Sequence, residues 1–402
     1  MVQGNAILVV DLGNSSTKCK VLFNKDSKTG KFRVRKFDLP NIFAPLPENY
    51  EISSDYSEEN SMCLRCEAEI DGNEINGIFC SGELQSRERP MTAIKPSAKV
   101  KKYLLDSTPI SYRCAFVKAF QAIMDIQKVS DVSQLDITWT VVTLLPPGDI
   151  KAGAGKIAEI VSNITRVDSI LPELSAPVKI SHVQVFPEGF CAYVGTVYDT
   201  GSVIRPDYEF LLNETVLIAD IGAGTTDFVV VRKNGLVQNS LYTIDQGGNN
   251  VLRHVDRSLK FEGLILDDTE VREGVLTGKV RDGATERDIT GLVNDARREI
   301  ATKLINGFQD YIEDTDLNMR SIGYVLVCGG GASDGDNPDL VPIGSYIIEN
   351  IKRLSKNTEL IKLPKHTVTR ETEDGDVYKT EAELNPRELN LLGASIMAET
   401  LI

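Results

Sequence analysis

The sequence predicts an α/β protein made of two similar lobes. Three observations carry that expectation. The chain has 402 residues, more than a single hydrophobic core usually serves. Apolar β-branched runs alternate with stretches of helical spacing along much of its length. One strand–turn–strand motif also occurs twice, about half a chain apart. The composition, 42% hydrophobic and 25% charged, leaves ample material for cores. No stretch approaches the roughly 20 apolar residues of a membrane span, and the N-terminus lacks the basic-then-apolar pattern of a leader. The expectation is a cytoplasmic protein with no membrane attachment.

The second copy of the motif organises the chain. Val216-Leu217-Ile218-Ala219 reaches Asp220, breaks at Gly222 and Gly224, and resumes after Thr225-Thr226-Asp227 as Phe228-Val229-Val230-Val231. Glycines allow close approach of backbone to a ligand, and successive turned N–H groups form a nest for anions. A carboxylate ending the first strand can face a cation. An ordinary glycine-rich hairpin would read similarly, so the repeat matters. Near the N-terminus, Ala6 to Val10 leads into Asp11-Leu12-Gly13-Asn14-Ser15-Ser16-Thr17-Lys18 and then Cys19 to Phe23. With Asp11 set on Asp220, Gly13 falls on Gly222, Ser16 on Thr225 and Thr17 on Thr226. Such a spacing points to two half-molecules, each offering one hairpin to a shared ligand.

Taken in order, the rest of the first lobe (1–200) reads as follows. Residues 25–36 are basic and turn-rich and close a surface hairpin. The prolines and acidic run of 40–60 read as loop. Short strands from Cys63 to Gly82 alternate around Asp71-Gly72-Asn73, a strong turn signal, so about 30–105 is expected to be a small inserted subdomain. Tyr112 to Met124 has helical spacing, Ile137 to Leu145 is a strand, Ile157 to Ile164 a helix and Val178 to Phe186 a strand. The second lobe (201–383) opens with the second hairpin. Asp245-Gln246-Gly247-Gly248-Asn249-Asn250 then enters a helix over 251–259. A long helix from about Asp288 carries Ile289, Leu292, Val293, Ala296, Ile300, Leu304, Phe308 and Ile312 as one apolar stripe for the core. Gly323 to Cys328 is a strand feeding Gly329-Gly330-Gly331-Ala332, and Tyr346 to Leu354 is a helix. The charged run 369–379 reads as a solvent hairpin, and 384–402 as a final helix packing back on the first lobe.

The net charge of −14 opposes direct contact with nucleic-acid phosphates, which reward clustered Lys and Arg; it equally serves solubility. Seven cysteines, an odd number, do not suggest a disulfide framework. Cys63-Leu64-Arg65-Cys66 with Cys80 invites a zinc reading, but the histidines stand far away in sequence, and reduced strand cysteines are the better expectation.

Three glycine-bearing turns, each after an apolar strand, now stand at 11–18, 220–227 and 329–333. In order and character they resemble the actin-like ATPase superfamily, with its duplicated ribonuclease-H-like two-lobe fold and a nucleotide cleft between the lobes. Within it the chain looks most like the ParM-like plasmid-segregation actins, on its length, its modest insertion and the segment Val183-Gln184-Val185-Phe186-Pro187-Glu188-Gly189. The resemblance implies ATP and Mg²⁺ as ligands. Backbone of Gly13, Asn14, Ser15, Ser16 and Thr17, and of Gly222, Ala223, Gly224, Thr225 and Thr226, would bond the phosphates. Lys18 would add positive charge, unless it is a solvent-facing strand lysine. Asp11 and Asp220 would hold Mg²⁺ through waters, since that ion sheds its shell reluctantly. Glu188 would orient the attacking water, unless it is a plain loop carboxylate after a proline, and Asp220 could align or polarise that water. Gly329, Gly330, Gly331 and Ala332 would take the adenosine, and Glu273 is a candidate for ribose or base contact. Asp227 replaces the lysine of the first hairpin, and its role stays open.

The function implied is a filament-forming ATPase that associates with itself and segregates plasmid DNA through a DNA-binding adaptor. The alternative is a non-polymerising kinase of the same fold acting on a small metabolite, although no distinct acceptor motif is found.

Overall fold

The computed structural model describes residues 1–13, 16–25, 30–57, 59–88, 94, 100–313, 315–332, 337–371 and 377–401. The chain divides into two units. The first comprises 1–187, 198–203 and 391–402, and the second 188–197 and 204–390.

In the first unit, β1 (Val2–Leu12) pairs antiparallel with β2 (Ser16–Phe23), which pairs antiparallel with β3 (Arg33–Pro40). There follow β4 (Phe43–Leu46), β5 (Ser61–Ile70), β6 (Asn73–Gly82), α1 (Glu83–Glu88), α2 (Ser107–Gln127), β7 (Leu135–Leu145), α3 (Ile150–Ser162), β8 (Arg166–Leu171), β9 (Leu174–Pro177) and β10 (Lys179–Pro187). The main sheet has the order β10-β7-β1-β2-β3, with β1, β7 and β10 parallel. Strands buried on both faces need unbroken apolar runs, and β1 is buried continuously from Ala6 to Leu12. Helix α2 lies on this sheet, where Phe116 and Phe120 meet Trp139 of β7 edge-on at 5.5 and 5.2 Å.

Three expectations change here. Residues 33–40 do not merely close a surface hairpin; they add a third strand to the main sheet. Part of the stretch expected as loop, 43–46, is β4, which ends the strand order of the smaller sheet, a position in which a proline is tolerated. The smaller sheet, β4-β6-β5-β8-β9, is completed by strands at 166–177, so the inserted subdomain draws on chain far beyond residue 105. Its β5–β6 turn is as expected: Asp71 and Gly72 both have positive φ, 48° and 81°. Cys63 and Cys66 stand three apart on one strand and so point to opposite faces. Cys63 enters the small core with Cys80, whereas Cys66 joins the main core. Burial pushes their thiols up to about 12 and about 11, the state of packed, protonated cysteines. All seven cysteines are buried, and none is in a disulfide.

The chain continues with α4 (Phe190–Val197) in the second unit, β11 (Tyr198–Asp199) in the first and β12 (Val203–Ile204) at the division, then, in the second unit, β13 (Thr215–Ile221), β14 (Thr226–Arg232), β15 (Gly235–Leu236) and β16 (Tyr242–Ile244). Next come α5 (Gly248–Phe261), α6 (Asp268–Thr277), β17 (Lys279–Asp282), β18 (Thr285–Asp288), α7 (Thr290–Ile312), β19 (Tyr324–Cys328), α8 (Ile343–Lys352), β20 (Glu359–Leu360), the paired β21 (Lys365–Glu371) and β22 (Val377–Glu383), and α9 (Leu389–Ala398). The tip of that last hairpin, 372–376, lies outside the described residues.

The sheet order is β15-β14-β13-β19-β20, with β16 also on β14. Its inner strands repeat the first unit: an antiparallel hairpin β13–β14, then β19 and β20 parallel to β13. The apolar stripe of α7 is buried as expected except at the half-buried Leu292, and Phe308 stacks on Phe228 at 4.8 Å. The division between units differs from the expected boundary at 200. Residues 188–197 group with the second unit because α4, buried from Cys191 to Val197, packs on β13 and β14. Likewise α9 starts in the second unit with Leu389 and Asn390 and continues in the first. Among the described residues, no helix is long and apolar enough to cross a membrane.

Candidate functional site

The two hairpins close identically. In the first, Asp11 lies opposite Lys18 and Leu12 opposite Thr17, and Gly13 N–H donates to Ser16 O at 3.1 Å. In the second, Asp220 lies opposite Asp227 and Ile221 opposite Thr226, and Gly222 N–H donates to Thr225 O at 2.8 Å. A Cβ at Gly13 would come within 2.6 Å of Ser16 O, and one at Gly222 within 3.1 Å of Thr225 O. Closure of the turn thus leaves no room for a side chain at Gly13 and only tight room at Gly222. Asn14 and Ser15 lie outside the described residues.

Around the first hairpin, Asp11 is buried, and Lys18 Nζ stands 3.7 Å from Asp11 Oδ2. The lysine side chain is 17% exposed, so it is not a solvent-facing strand lysine. Thr17 is buried and donates through Oγ1 to Asn41 Oδ1; Asn41 Nδ2 donates to Gly13 O, and Ser111 Oγ reaches Asn41 Oδ1 at 3.2 Å. Asn41 therefore holds the turn shut from below. Sequence reading missed it, because it lies in the proline-rich stretch taken for loop.

Around the second hairpin the buried carboxylates gather. Asp220, Asp227 and Glu188 are all buried, and all three act on the fully buried Cys328 thiol. Its ionisation is pushed well above the usual range, by burial first and then by Asp220, Asp227 and Glu188. Thr243 Oγ1 donates to Asp227 Oδ1 at 2.6 Å. Asp227 thus takes the register position that Lys18 has in the first hairpin, as a buried, hydrogen-bonded rung opposite Asp220. Glu188 starts a tight turn in which Phe190 N–H donates to Glu188 O at 2.9 Å. The turn leads directly into α4, which places Glu188 at the Asp220 end of β13. Asn390 at the start of α9 bonds both partners: its Nδ2 donates to Asp220 Oδ2, and Gly189 N–H donates to its Oδ1 at 2.9 Å.

Two further loops close on the hairpin tip. Gly248 N–H donates to Gly222 O at 2.9 Å and Asn249 N–H to Ala223 O at 2.7 Å, and Thr226 Oγ1 donates to Gln246 O at 2.7 Å. A Cβ at Gly247 would lie 2.6 Å from Gly222 O, and one at Gly331 2.8 Å from the same oxygen. Gly329 has φ +90°, and a Cβ there would overlap Asp220 Oδ1 and Ile221 O. Gly330 faces Arg387, and Gly329 N–H donates to Pro386 O at 3.1 Å. The glycines at 329 and 331 thus serve first to pack one loop on another. The first turn of α5 belongs to the same cluster, although sequence reading took 245–250 only as a helix start. Ala332 ends a short 3₁₀ turn with Gly330 and Gly331. Glu273 is not brought into the cluster by any hydrogen bond or ion pair among the described residues. It stands exposed on α6, whose buried Val271, Gly274 and Val275 face inward.

The donor set is carboxylate oxygen, backbone and hydroxyl, the hard-ligand chemistry of Mg²⁺ rather than zinc. Three carboxylates around one thiol concentrate negative charge that a divalent cation would offset. Among the described residues, no three His, Cys, Asp or Glu side chains converge closely enough to hold a metal by themselves.

The family model for the archaeal actin homologue MreB-like, C-terminal, matches residues 218–336, from the second hairpin through the glycine loop. No curated protein matches. Among solved structures, the actin-like protein Alp7A superposes with a TM-score of 0.63 at 16% identity, over 100% of this chain and 97% of that one. Ta0583, an archaeal actin homologue in complex with ADP, gives 0.58 at 13% identity, over 98% and 99%. The subunit of a 15-stranded ParM filament from Clostridium botulinum gives 0.58 at 15% identity, over 100% of both. The chain has the actin-like two-lobe α/β fold, shared with the archaeal actin homologue and the ParM proteins on which it superposes.

Proposed function

We propose that this chain is an ATP-dependent, filament-forming protein that binds Mg²⁺·ATP through the hairpins 11–18 and 220–227 and hydrolyses it. Asp11 and Asp220 serve the metal, Glu188 orients the attacking water, and Asp220 aligns it. Bound Mg²⁺ would offset charge on the phosphoryl group being transferred. Lys18 adds charge at the first hairpin, residues 329–332 take the adenosine, and Glu273 serves ribose or base contact. Nucleotide state then sets the strength of contacts between copies. Head-to-tail contacts that do not close a ring propagate as a helical filament. Plasmid segregation through a basic DNA-binding adaptor fits the net charge of −14.

The observation that carries the reading is the repeated acid-tipped hairpin, closed by the same glycine hydrogen bond in each unit. A related fold solved with ADP and another solved as a filament support it. Mixing the purified chain with Mg²⁺·ATP should raise 90° light scattering and give filaments in negative stain. A flat trace over a broad concentration range, with phosphate passed to an added metabolite, would favour a kinase instead.

Glu188→Ala should leave nucleotide affinity and assembly largely intact while slowing phosphate release by about 100-fold, the scale of losing a group that orients or deprotonates water. Unchanged release in a stopped-flow phosphate assay would remove Glu188 from the mechanism.

A further inference from the structure

Asn390 is buried, and both ends of its amide are engaged: Nδ2 with Asp220 Oδ2, and Oδ1 with the backbone N–H of Gly189 at 2.9 Å. The orientation follows from the partners, since a carboxylate accepts and an N–H donates. Gly189 directly follows Glu188 and has φ +77°; a Cβ there would come within 3.0 Å of Val229 Cγ2. The turn carrying Glu188 therefore has little freedom of its own. Asn390 is equally well anchored. The 3₁₀ turn before it, Pro386–Glu388, is capped by Asn385 Oδ1 accepting from Arg387 N–H at 3.0 Å, and Pro386 O accepts from the glycine loop. Asp220 and Asn390 are 170 residues apart in sequence, so nothing in the local pattern around either requires the pairing.

We propose that Asn390 is a positioning residue that holds the Asp220 carboxylate in one orientation and, through Gly189, sets the turn bearing Glu188. One amide thereby registers the metal-side aspartate against the water-side glutamate. The inference rests on the function proposed above. Its physical basis is that a buried carboxylate near other carboxylates needs a fixed donor to keep its lone pairs aimed. Groups that support a metal site from behind commonly cost about 10–100-fold in affinity or activity when removed.

The full chain tests this with Asn390→Leu, which keeps the volume and removes the amide, and with Asn390→Ala, which removes the amide without a bulky replacement. In both, turnover should fall at least about 10-fold and the Mg²⁺ concentration for half-maximal rate should rise by a similar factor. Affinity for metal-free nucleotide should change little.

Binding of Mn²⁺ with ADP, followed by electron paramagnetic resonance, reads the site without turnover and should weaken about 10-fold in N390L. Natural Mn²⁺ affinity in a folded N390L or N390A would overturn the inference. If the natural chain releases no phosphate from Mg²⁺·ATP, the ATPase reading fails; the Mn²⁺ comparison still judges Asn390. Should N390L not fold, N390A carries both measurements.

Discussion

Asp220→Ala is expected to abolish Mg²⁺-dependent turnover, by at least about 100-fold, the scale of removing a group that stabilises charge in a transition state. Asp220 is buried at the end of β13, bonded by Asn390 and packed beneath the glycine loop. Alanine removes the carboxylate the metal would use and leaves the Asn390 amide without its acceptor. Metal-free nucleotide binding should persist, because the hairpin closure from Gly222 N–H to Thr225 O does not involve the side chain. Isothermal titration with and without Mg²⁺, beside a phosphate-release assay, separates the two effects. Full turnover in the variant would remove Asp220 from the chemistry.

Gly329→Ala should have the largest effect on stability of any single methyl addition in the cluster. Its φ of +90° disfavours an L-residue, and the added carbon would overlap Asp220 Oδ1 and Ile221 O. Backbone strain and forced overpacking together cost about 2–5 kcal/mol. Gly263→Ala is the control: its φ is +86°, but nothing lies within 4 Å of the added carbon. That change should cost only the backbone part, about 1 kcal/mol. Thermal unfolding of the two variants beside the natural chain measures the difference. Equal melting temperatures for both variants would show that the loop moves aside and that the close packing on Asp220 is not required.

Much of the candidate site was legible because it is local. Asp11 to Lys18 and Asp220 to Asp227 are each a short apolar strand, a glycine turn and a return strand, and the register aligned by sequence is the register of the two hairpins. The α7 stripe was legible for the same reason: helical period 3.6 repeats within one segment. What escaped was assembled from afar. Asn41, Asn390 and the Gly247-Gly248 turn carry no periodic signal, and each acquires its role from a partner 20 or more residues away. The strand at 43–46 was hidden by Pro45 and by the flanking Pro40 and Pro47, and β8 and β9 by their shortness.

By itself the sequence determined the duplicated α/β plan, the two acid-tipped hairpins and the glycine loop after β19, since these depend on backbone sterics and hydrophobic period within single segments. Only the tertiary structure decided which unit owns Glu188, that Asp227 lies as a bonded rung opposite Asp220, that Cys63 and Cys66 face different cores, and that one asparagine joins Asp220 to the Glu188 turn. Those outcomes follow from packing and hydrogen-bond satisfaction between distant segments, and buried polar groups take whichever partners the fold brings to them.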